Sequence, residues 1–370
     1  MHYKLEITTI QICNMGCTYC FESTKGVDYK VEPTRLDFEP LIDKIDGILE
    51  SEWLAQNHTG LTLDFWGGEP TLNYDLMEKL LLRYLPNEKA HYHMYSNGYD
   101  IKPHLKFLQT LGASNLDRLN IQISYDGAVA HDRNRKDKRG RSTEKTVREN
   151  IYTLAETGVV LGLKTTLVPE NFEALPGIWE DYKDLYDTLP SNCDIHLYPT
   201  IDYHNERSDL NIEEWKSAVK ILAGKEYKFY QEHGHHLMSW FGGQKRNCSA
   251  GKNISAVDVF GNSYLCHGAL YEGGKEDFKL GHITQSKVQF VKNLEESATA
   301  FALNPSEDPL GCKTCEATMC QRCHIIKHAS SSKTTFFERW YDNQSQPFMC
   351  YYFKEFGKID RALQALIKEN

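Results

Sequence analysis

Residues 10–23 of this 370-residue chain read IQICNMGCTYCFES, and they decide how the rest of the sequence is interpreted. Cys13, Cys17 and Cys20 form a C-x3-C-x2-C pattern directly after the first predicted strand, Leu5–Ile12. Three neighbouring thiolates can hold three irons of a [4Fe–4S] cluster and leave the fourth iron without a protein ligand. The alternative is a zinc site completed by a distant residue, although zinc sites usually combine C-x2-C with a second pair of ligands.

The cysteine pattern resembles the signature of the radical S-adenosylmethionine (SAM) enzymes, C-x3-C-x-aromatic-C, with Tyr19 as the aromatic residue. In that family the open iron binds the amino and carboxylate groups of SAM. The resemblance implies that an electron from the cluster cleaves SAM to a 5′-deoxyadenosyl radical, which abstracts hydrogen from the substrate. It therefore implies two cofactors, a [4Fe–4S] cluster and SAM.

A second match to this family is DFWGGEP at residues 64–70. Two consecutive glycines, Gly67 and Gly68, let the backbone approach a ligand closely, and the Glu69 carboxylate can accept hydrogen bonds from an ammonium group. The family uses this motif to hold the SAM amino group, so the resemblance assigns that role to Glu69. Taken alone, the motif is a strand-to-helix turn.

Five further positions follow the family's order and are expected to contact SAM: Ser96, Ser124, Arg148, Leu167 and Tyr198. Ser124 lies in IQISYDGAVAHDRNR, residues 121–135, which resembles the fourth-strand signature of the branch that modifies peptides and proteins. Arg148 is similar in place to the arginine that pairs with the SAM carboxylate, a task that suits a bidentate guanidinium. The alternatives are a turn for Ser96, a solvated helix position for Arg148 and core packing for Leu167 and Tyr198.

Short apolar runs alternate with helical patterns from residue 3 to about residue 200, which predicts a parallel sheet with crossover helices. The expected α/β fold is a partial (β/α)6 TIM-like barrel over residues 1–210, with a doubly wound sheet as the alternative. A helical bridge, residues 211–245, and a cysteine-rich domain, residues 246–370, complete the predicted organisation. The expected strands are Leu5–Ile12, Leu61–Trp66, His91–Tyr95, Leu119–Ser124, Val159–Leu167 and Cys193–Tyr198.

Three local features are also predicted. One continuous helix is expected over Pro40–His58. Val257–Phe260 and Ser263–Cys266 should form a hairpin around Gly261-Asn262. An exposed helix is expected at the C-terminus, over Lys358–Lys368.

The C-terminal part carries seven cysteines in the order C-x12-G-x4-C, C-x2-C-x4-C-x2-C and C. It resembles the SPASM extension of radical SAM enzymes, which holds two auxiliary [4Fe–4S] clusters, although two gaps of the middle block are one residue shorter here. Following that pattern, the outer cluster would be bound by Cys312, Cys315, Cys320 and Cys350. The inner cluster would be bound by Cys248, Cys266 and Cys323, one ligand short, with water, His267 or a substrate thiol on the open iron. A pair of zinc ribbons is the alternative.

His267 is the candidate catalytic residue of this part of the chain. It directly follows Cys266, where the branch that matures sulfatases has an aspartate acting as a base. A histidine can act as a base near neutral pH, so base chemistry at this position is compatible with the sequence. The alternative is a polar loop residue beside a cluster, and the departure from aspartate disfavours sulfatase maturation.

Composition excludes several classes of partner. The net charge of −9 argues against a general nucleic-acid-binding surface, although residues 133–141 are locally basic. The chain has no apolar run of roughly 20 residues and begins without an apolar signal core, so no membrane association is expected. The expected location is the cytoplasm, where reducing conditions favour metal chemistry over disulfides for the eleven cysteines.

The resemblance implies an oxidoreductase that matures ribosomal peptides, forming a crosslink or a thioether on a peptide or protein side chain. Its expected partners are that peptide or protein, an electron donor such as flavodoxin or ferredoxin, and, where the substrate carries a leader, a separate leader-binding protein. The auxiliary clusters would accept the second electron. The alternatives are a formylglycine-forming sulfatase maturase, a radical SAM enzyme acting on a small molecule, and a metal-stabilised sensor without enzymatic activity.

Overall fold

A computed structural model describes residues 1–20, 36–191, 193–201, 212–243, 249–270, 278–302, 315–318 and 348–369 of the chain. The predicted sites at Cys248, Cys312, Cys320 and Cys323 lie outside these residues. Within the described part, none of the helices is both long and apolar enough to cross a lipid bilayer.

Six parallel strands form the first part of the sheet, and each strand after the first pairs with the strand that precedes it in the chain. This arrangement confirms the predicted α/β class with a parallel sheet, because every connection between neighbouring strands must cross over. The sequence located all six strands to within a few residues. They are β1 (Tyr3–Ile10), β2 (Leu61–Gly67), β3 (Ala90–Ser96), β4 (Leu119–Ser124), β5 (Val160–Leu167) and β6 (Asp194–Ile201).

Alternation along these strands separates an apolar face from a polar one. Leu61, Leu63 and Phe65 of β2 are fully buried in the hydrophobic core, while Asp64 and Trp66 point to the opposite side of the sheet. We call that opposite side the inner face, because the helices cover the apolar side. The period of two residues therefore places charged and aromatic groups together on the inner face.

Helices connect the six strands. The predicted helix over residues 40–58 is divided into α1 and α2 at Ser51, whose extended backbone ends α1 and whose Oγ accepts a hydrogen bond from the Leu54 N–H at 3.1 Å. Short 3₁₀ helices, Pro70–Asn73 and Pro169–Ala174, precede α3 and α8. The helices are α1 (Phe38–Glu50), α2 (Glu52–Asn57), α3 (Tyr74–Tyr84), α4 (Lys102–Thr110), α5 (Ala113–Leu116), α6 (His131–Asn134), α7 (Glu144–Ala155) and α8 (Leu175–Thr188).

The C-terminal strands continue the same sheet. Strand β7 (Ile254–Val257) pairs in parallel with β1, and β8 (Asn262–Tyr264) and β9 (Lys279–His282) follow as antiparallel neighbours. The hairpin between β7 and β8 lies a few residues from its predicted position. Its loop is longer than the predicted Gly261-Asn262 turn, because the Asp258 carboxylate accepts hydrogen bonds from the Phe260 and Asn262 N–H groups. The predicted division into domains stays a prediction.

The remaining helices are α9 (Ile212–His233), α10 (His267–Leu270), α11 (Lys287–Ala302) and α12 (Phe348–Glu369). The predicted helix over Lys358–Lys368 is present and many of its residues are exposed, but the expectation of a separate, fully exposed helix is corrected, because α12 begins earlier and packs on α9. Tyr352, Phe356 and Leu363 are buried there, and the Trp215 indole N–H donates to the Tyr352 carbonyl at 3.0 Å. The apolar side chains of α12 therefore pack on α9, a helix that is distant in sequence.

Candidate functional site

The cysteine loop follows β1 and is held in place by a segment that lies after β4. The Gly16 N–H donates to the Lys136 carbonyl at 2.8 Å, and the Thr18 N–H donates to the Asn134 carbonyl at 3.0 Å. Inside the loop, the Cys20 N–H donates to the Cys17 carbonyl at 3.1 Å. The loop position therefore depends on residues that are more than a hundred positions away.

The three thiols of this loop are close enough to interact electrostatically. Burial, then the Glu69 carboxylate, raises the pKa of Cys13 to about 12, and the other two thiols add to the effect. Burial raises the pKa of Cys17 to about 11 against the opposing charge of Arg135. Iron binds thiolates, so loading of a cluster here must release protons.

Polar groups surround the sulfur atoms. The Met15 N–H donates to Cys13 Sγ at 3.4 Å, and the Asn97 side-chain amide lies 3.5 Å from the same sulfur. Arg135 Nη1 lies 4.0 Å from Cys17 Sγ. Hydrogen bonds to sulfur tune iron–sulfur clusters, so these residues fit a cluster with one thiolate on each of three irons. No three of the described His, Cys, Asp or Glu side chains converge on one point as the ligands of a single metal ion do.

Gly67 and Gly68 pack against the backbone that leads into the cysteine loop. The Gly68 and Glu69 N–H groups donate to the Ile10 and Ile12 carbonyls at 2.8 and 3.0 Å. A Cβ atom on Gly67, whose φ is +138°, would lie 2.2 Å from the Ile10 carbonyl oxygen. A Cβ on Gly68 would lie 2.5 Å from the Ile12 carbonyl oxygen. The glycines are therefore required for contact between two protein segments, whereas the sequence had suggested contact with a ligand.

Glu69 is buried and held by three hydrogen bonds. Its Oε1 accepts from the Thr71 N–H at 3.1 Å and from Ser96 Oγ at 3.0 Å, and its Oε2 accepts from the Asn97 N–H at 2.7 Å. Burial raises the pKa of Glu69, and these hydrogen bonds oppose the rise by favouring the carboxylate. Ser96 thus orients Glu69, and a carboxylate fixed in this way is suited to an ammonium group.

Ser124 lies on the inner face, beside a lysine that sequence reasoning missed. In the strand register Ser124 is opposite Lys164 of β5, and Lys164 is opposite Tyr198 of β6. The Lys164 ammonium lies 5.8 Å from the centre of the Tyr95 ring. Burial lowers the pKa of Lys164 to about 8. The alternation of β5 is the signal that could have identified Lys164, since its neighbours Leu163 and Thr165 are buried on the other side.

Lys164 has no ion-pair partner within 4 Å among the residues that the structure describes. The inner-face carboxylate of Asp64 instead pairs with Lys4 at 3.2 Å and His93 at 3.1 Å. Glu6, on the same face, is bound by His267. Lys164 is therefore a cation available to an anionic ligand.

Arg148 of α7 is paired with carboxylates of α8. Its Nη1 lies 2.5 Å from Asp181 Oδ1, its Nη2 lies 2.7 Å from Asp184 Oδ2, and Nη1 also donates to the Tyr125 hydroxyl at 3.1 Å. These bonds tie two neighbouring helices together. The expected contact between Arg148 and SAM stays a prediction. To make that contact, the Arg148 guanidinium would have to bind the SAM carboxylate in addition to, or in place of, the two carboxylates that it already binds.

Tyr19 anchors the cysteine loop to the interior. Its hydroxyl donates to Asp126 Oδ2 at 2.5 Å, and Arg135 Nε donates to the same oxygen at 2.9 Å. Asp126 Oδ1 accepts from the Thr166 N–H at 2.8 Å, and the Arg135 guanidinium lies 5.1 Å from the centre of the Tyr19 ring. This buried group joins the loop to β5, and the sequence did not identify Asp126 and Arg135 as its partners.

His267 reaches the inner face from the C-terminal part of the chain. Its backbone N–H donates to Glu6 Oε2 at 2.7 Å, and its Nδ1 lies 2.8 Å from Glu6 Oε1. Its ring stacks on Trp66 with 4.4 Å between ring centres, and Trp66 meets Tyr95 edge to face at 4.7 Å. The adjacent Cys266 is therefore held at the margin of the inner face.

The remaining predicted site residues lie away from the inner face or in the C-terminal part of the chain. Leu167 is fully buried in the hydrophobic core, and its expected contact with adenine stays a prediction. Cys350 lies in the first turn of α12. The short segment that contains Cys315 also approaches this helix, because Arg361 donates to the Glu316 carbonyl. Binding of auxiliary clusters by these cysteines stays a prediction.

The sequence and the fold of this chain are similar to those of several known proteins. Residues 7–180 match the sequence profile described as the Radical SAM superfamily. The Fe-coproporphyrin III synthase of Methanosarcina barkeri is 25% identical over 60% of this chain and 50% of its own length. The mycofactocin maturase MftC of Mycolicibacterium smegmatis is 26% identical over 70% of this chain and 63% of its own length. The match thus spans about half the length of the first relative.

A serine-type anaerobic sulfatase-maturating enzyme of Bacteroides thetaiotaomicron is 22% identical over 82% of this chain and 78% of its own length. Among solved structures, native anSMEcpe with bound AdoMet and the Cp18Cys peptide superposes with a TM-score of 0.69 at 19% identity, covering 99% of both chains. Streptococcus suis SuiB bound to the precursor peptide SuiA gives 0.57 at 13% identity, covering 90% of this chain and 74% of SuiB. At these identities the superpositions show a shared fold.

Proposed function

Because residues 7–180 are a radical SAM domain, we propose that the chain cleaves SAM reductively and uses the resulting 5′-deoxyadenosyl radical to oxidise a peptide or protein side chain. The observation that carries this proposal is the contact between the cysteine loop and the turn of Gly67, Gly68 and Glu69. That contact sets the buried Glu69 carboxylate close enough to Cys13 to affect its charge. The thiol loop would supply the open iron, and Glu69 would supply the acceptor for the SAM ammonium group.

Cys13, Cys17 and Cys20 would hold the cluster of this site. When bound, the cluster supplies the electron that cleaves the sulfonium of SAM. Glu69 would accept the SAM ammonium, and Ser96 and Asn97 keep the Glu69 carboxylate in position through their hydrogen bonds. Asn97 also contacts Cys13, so one residue links the thiol loop and the ammonium acceptor.

The SAM carboxylate would be bound near Ser124. Arg148 is the cation that the family resemblance assigns, and Lys164 is a second candidate, because it is opposite Ser124 in the sheet and lacks an ion-pair partner among the described residues. The pairing of Arg148 with Asp181 and Asp184 favours Lys164. A charge-assisted hydrogen bond from either residue would add about 1.5–3 kcal/mol to binding.

A peptide or protein substrate is supported by the names of the relatives and by the peptides bound in similar solved structures. MftC and the sulfatase-maturating enzyme carry maturase names, and the solved structures of anSMEcpe and SuiB contain peptides. We infer that the product is a crosslink or a thioether, which removes two hydrogens from the substrate. Atom balance then requires one hydrogen for the radical, plus one proton and one electron that leave separately, and auxiliary clusters on the C-terminal cysteines would take that electron.

Formylglycine formation is the second candidate. It is favoured by the similarity to the serine-type anaerobic sulfatase-maturating enzyme over 82% of this chain and by the position of His267 at the margin of the inner face, fixed by Glu6. His267 would act as the base in that reaction. The similarity to Fe-coproporphyrin III synthase supports a small-molecule substrate as a third hypothesis.

The test is anaerobic reconstitution with iron and sulfide, followed by addition of dithionite and SAM. Release of 5′-deoxyadenosine by the wild type, and its loss in Cys13→Ala, would support the proposal. Mass spectrometry of a peptide encoded beside this chain, after co-expression, would then report the loss of two hydrogens or conversion to formylglycine. Zinc at the three cysteines, or no cleavage of SAM, would contradict the proposal.

A further inference from the structure

The segment of residues 133–141 is strongly basic in an acidic chain. It reads RNRKDKRGR, with six cationic residues and one aspartate, whereas the whole chain carries a net charge of −9. Arg135 turns inward to Asp126, and the ion pairs of Arg133 with Glu173 and of Arg141 with Asp137 neutralise two more cations. The positive charge of the segment is therefore only partly neutralised by neighbouring carboxylates.

Lys136, Lys138 and Arg139 are exposed, and none of them has a carboxylate within 4 Å among the residues that the structure describes. We call these three side chains the basic patch. Asp137, between them, is turned to the protein, where its carboxylate accepts from the backbone N–H groups of Arg139 and Arg141, each at 2.8 Å. The patch therefore presents positive charge to the solvent.

The basic patch belongs to the same segment that holds the cysteine loop. The Lys136 carbonyl accepts from Gly16 N–H at 2.8 Å, and Asp137 forms a β-bridge with Met15. Gly16 and Met15 lie between Cys13 and Cys17. Consequently the basic patch is joined by backbone hydrogen bonds to the loop that would carry the cluster. Cys17 and Cys20 of that loop are half-buried.

We propose that the basic patch of Lys136, Lys138 and Arg139 is the docking surface for an acidic protein that carries single electrons, of the flavodoxin or ferredoxin type. The inference rests on the proposed function, which requires one electron for each SAM that is cleaved. In the transfer step the donor would lose one electron to the cluster held by Cys13, Cys17 and Cys20. The donor would then dissociate with one electron fewer, which for fully reduced flavodoxin is the semiquinone.

Electrostatics gives the patch its effect on this encounter. Electron transfer slows steeply with distance, so a donor must meet the protein near the cluster loop and in a suitable orientation. A local positive surface steers an acidic partner to that point and raises association rates about 10- to 1,000-fold at low ionic strength. Nucleic acid is a weaker candidate, because the remaining surface of a chain with net charge −9 would repel it.

The test uses anaerobically reconstituted full-length protein and fully reduced acidic flavodoxin. The patch variant is Lys136→Glu/Lys138→Glu/Arg139→Glu, with Lys136→Gln/Lys138→Gln/Arg139→Gln as a milder form. The matched control reverses three exposed lysines of α9 and α11, as Lys220→Glu/Lys228→Glu/Lys292→Glu. Stopped-flow absorbance follows cluster reduction by flavodoxin, and calorimetry measures flavodoxin binding independently of activity.

The patch variant should be reduced by flavodoxin at least about tenfold more slowly than the wild type and the control at low salt, and should bind it correspondingly more weakly. At about 0.5 M salt the difference should largely disappear, because the Debye length is then only a few ångströms. Dithionite should reduce all variants equally. Equal rates with flavodoxin for patch and control variants would overturn the proposal, as would patch-dependent binding of duplex DNA without any effect on flavodoxin. Failure of SAM cleavage with dithionite would reject the proposed function instead, because cluster reduction is measured without SAM.

Discussion

Glu6 and His267 lie 261 positions apart and are joined by two contacts, from the His267 backbone N–H to Glu6 Oε2 at 2.7 Å and between His267 Nδ1 and Glu6 Oε1 at 2.8 Å. Glu6 belongs to the first strand, and His267 opens the short helix that follows β8. One buried carboxylate therefore fixes both the backbone and the ring of His267. This pair connects the inner face to the segment that carries Cys266.

Glu6→Ala should destabilise the protein, because it removes the acceptor of two donors in a largely buried position. The expected loss is about 1–3 kcal/mol in the free energy of unfolding, and Glu6→Gln, which keeps an acceptor, should lose less. Urea denaturation of the apoprotein measures both. Glu50→Ala is the control, since Glu50 forms an exposed pair with Lys287 and its loss should change the free energy of unfolding very little. Equal losses for Glu6→Ala and Glu50→Ala would show that the buried pair is not stabilising.

Gly67→Ala and Gly68→Ala should each disrupt the turn on the cysteine loop. The added Cβ would meet backbone carbonyl oxygens at 2.2 and 2.5 Å, and neither oxygen belongs to a side chain that could rotate away. We expect a loss of about 2–4 kcal/mol in unfolding free energy and a lower iron content after reconstitution.

Gly224→Ala provides the matched control for these two substitutions. Gly224 lies inside α9, and a Cβ there would have no heavy atom within 4 Å, so alanine should stabilise the protein by about 0.5–1 kcal/mol. Thermal unfolding and iron analysis of the three variants compare them directly. A stable, fully loaded Gly67→Ala protein would refute the requirement for glycine.

Lys164→Met should weaken SAM binding more than Arg148→Met does, because Lys164 has no ion-pair partner among the described residues while Arg148 holds Asp181 and Asp184. Loss of one charge-assisted bond predicts about a 10- to 100-fold increase in the Kd of SAM. Lys164→Arg should retain much of the affinity.

Decarboxylated SAM distinguishes binding of the SAM carboxylate from a general effect on the site. If Lys164 binds that carboxylate, Lys164→Met should leave the affinity for decarboxylated SAM almost unchanged. Calorimetric titration of the reconstituted protein with both ligands gives the comparison. A larger effect of Arg148→Met on SAM alone would restore Arg148 to the role that the family resemblance assigns.

Acid should destabilise the protein partly through His104. Burial lowers the pKa of His104 to about 4, and its Nε2 has no hydrogen-bond partner among the described residues. The unfolded chain binds this proton near pH 6.5, so the stabilising contribution is complete above about 6.5 and is lost as the pH falls towards 4. The contribution amounts to about 3 kcal/mol at most.

His104→Phe removes this titration and keeps a ring beside Tyr74, which His104 meets edge to face at 4.8 Å. The fall in unfolding free energy between about pH 7 and pH 4.5 should then be smaller by about 2 kcal/mol. Urea denaturation of apoprotein at both pH values gives this difference. His131, whose pKa is also lowered to about 4, remains in both proteins, so identical pH dependence would mean that His104 is not responsible.

Sequence spacing was sufficient for features in which neighbouring residues act together. The three cysteines of one loop, the glycines before Glu69 and the alternation of the six strands are local patterns, and local geometry translates them directly into a loop, a turn and a two-sided sheet. The break at Ser51 was missed because a cap depends on one side-chain hydrogen bond, which the apolar period of α1 and α2 does not reveal.

The sequence by itself therefore determined the α/β class, the approximate positions of the six strands along the chain and the residues that form the thiol loop, while the order of the strands within the sheet came from the structure. Only the tertiary structure decided the partners of each charge: Glu6 with His267, Asp126 with Tyr19 and Arg135, Arg148 with α8, and Lys164 with no carboxylate within ion-pair distance among the described residues. The physical reason is that a strand's period fixes which side a residue faces, whereas an ion pair depends on the packing of segments that are up to 261 positions apart.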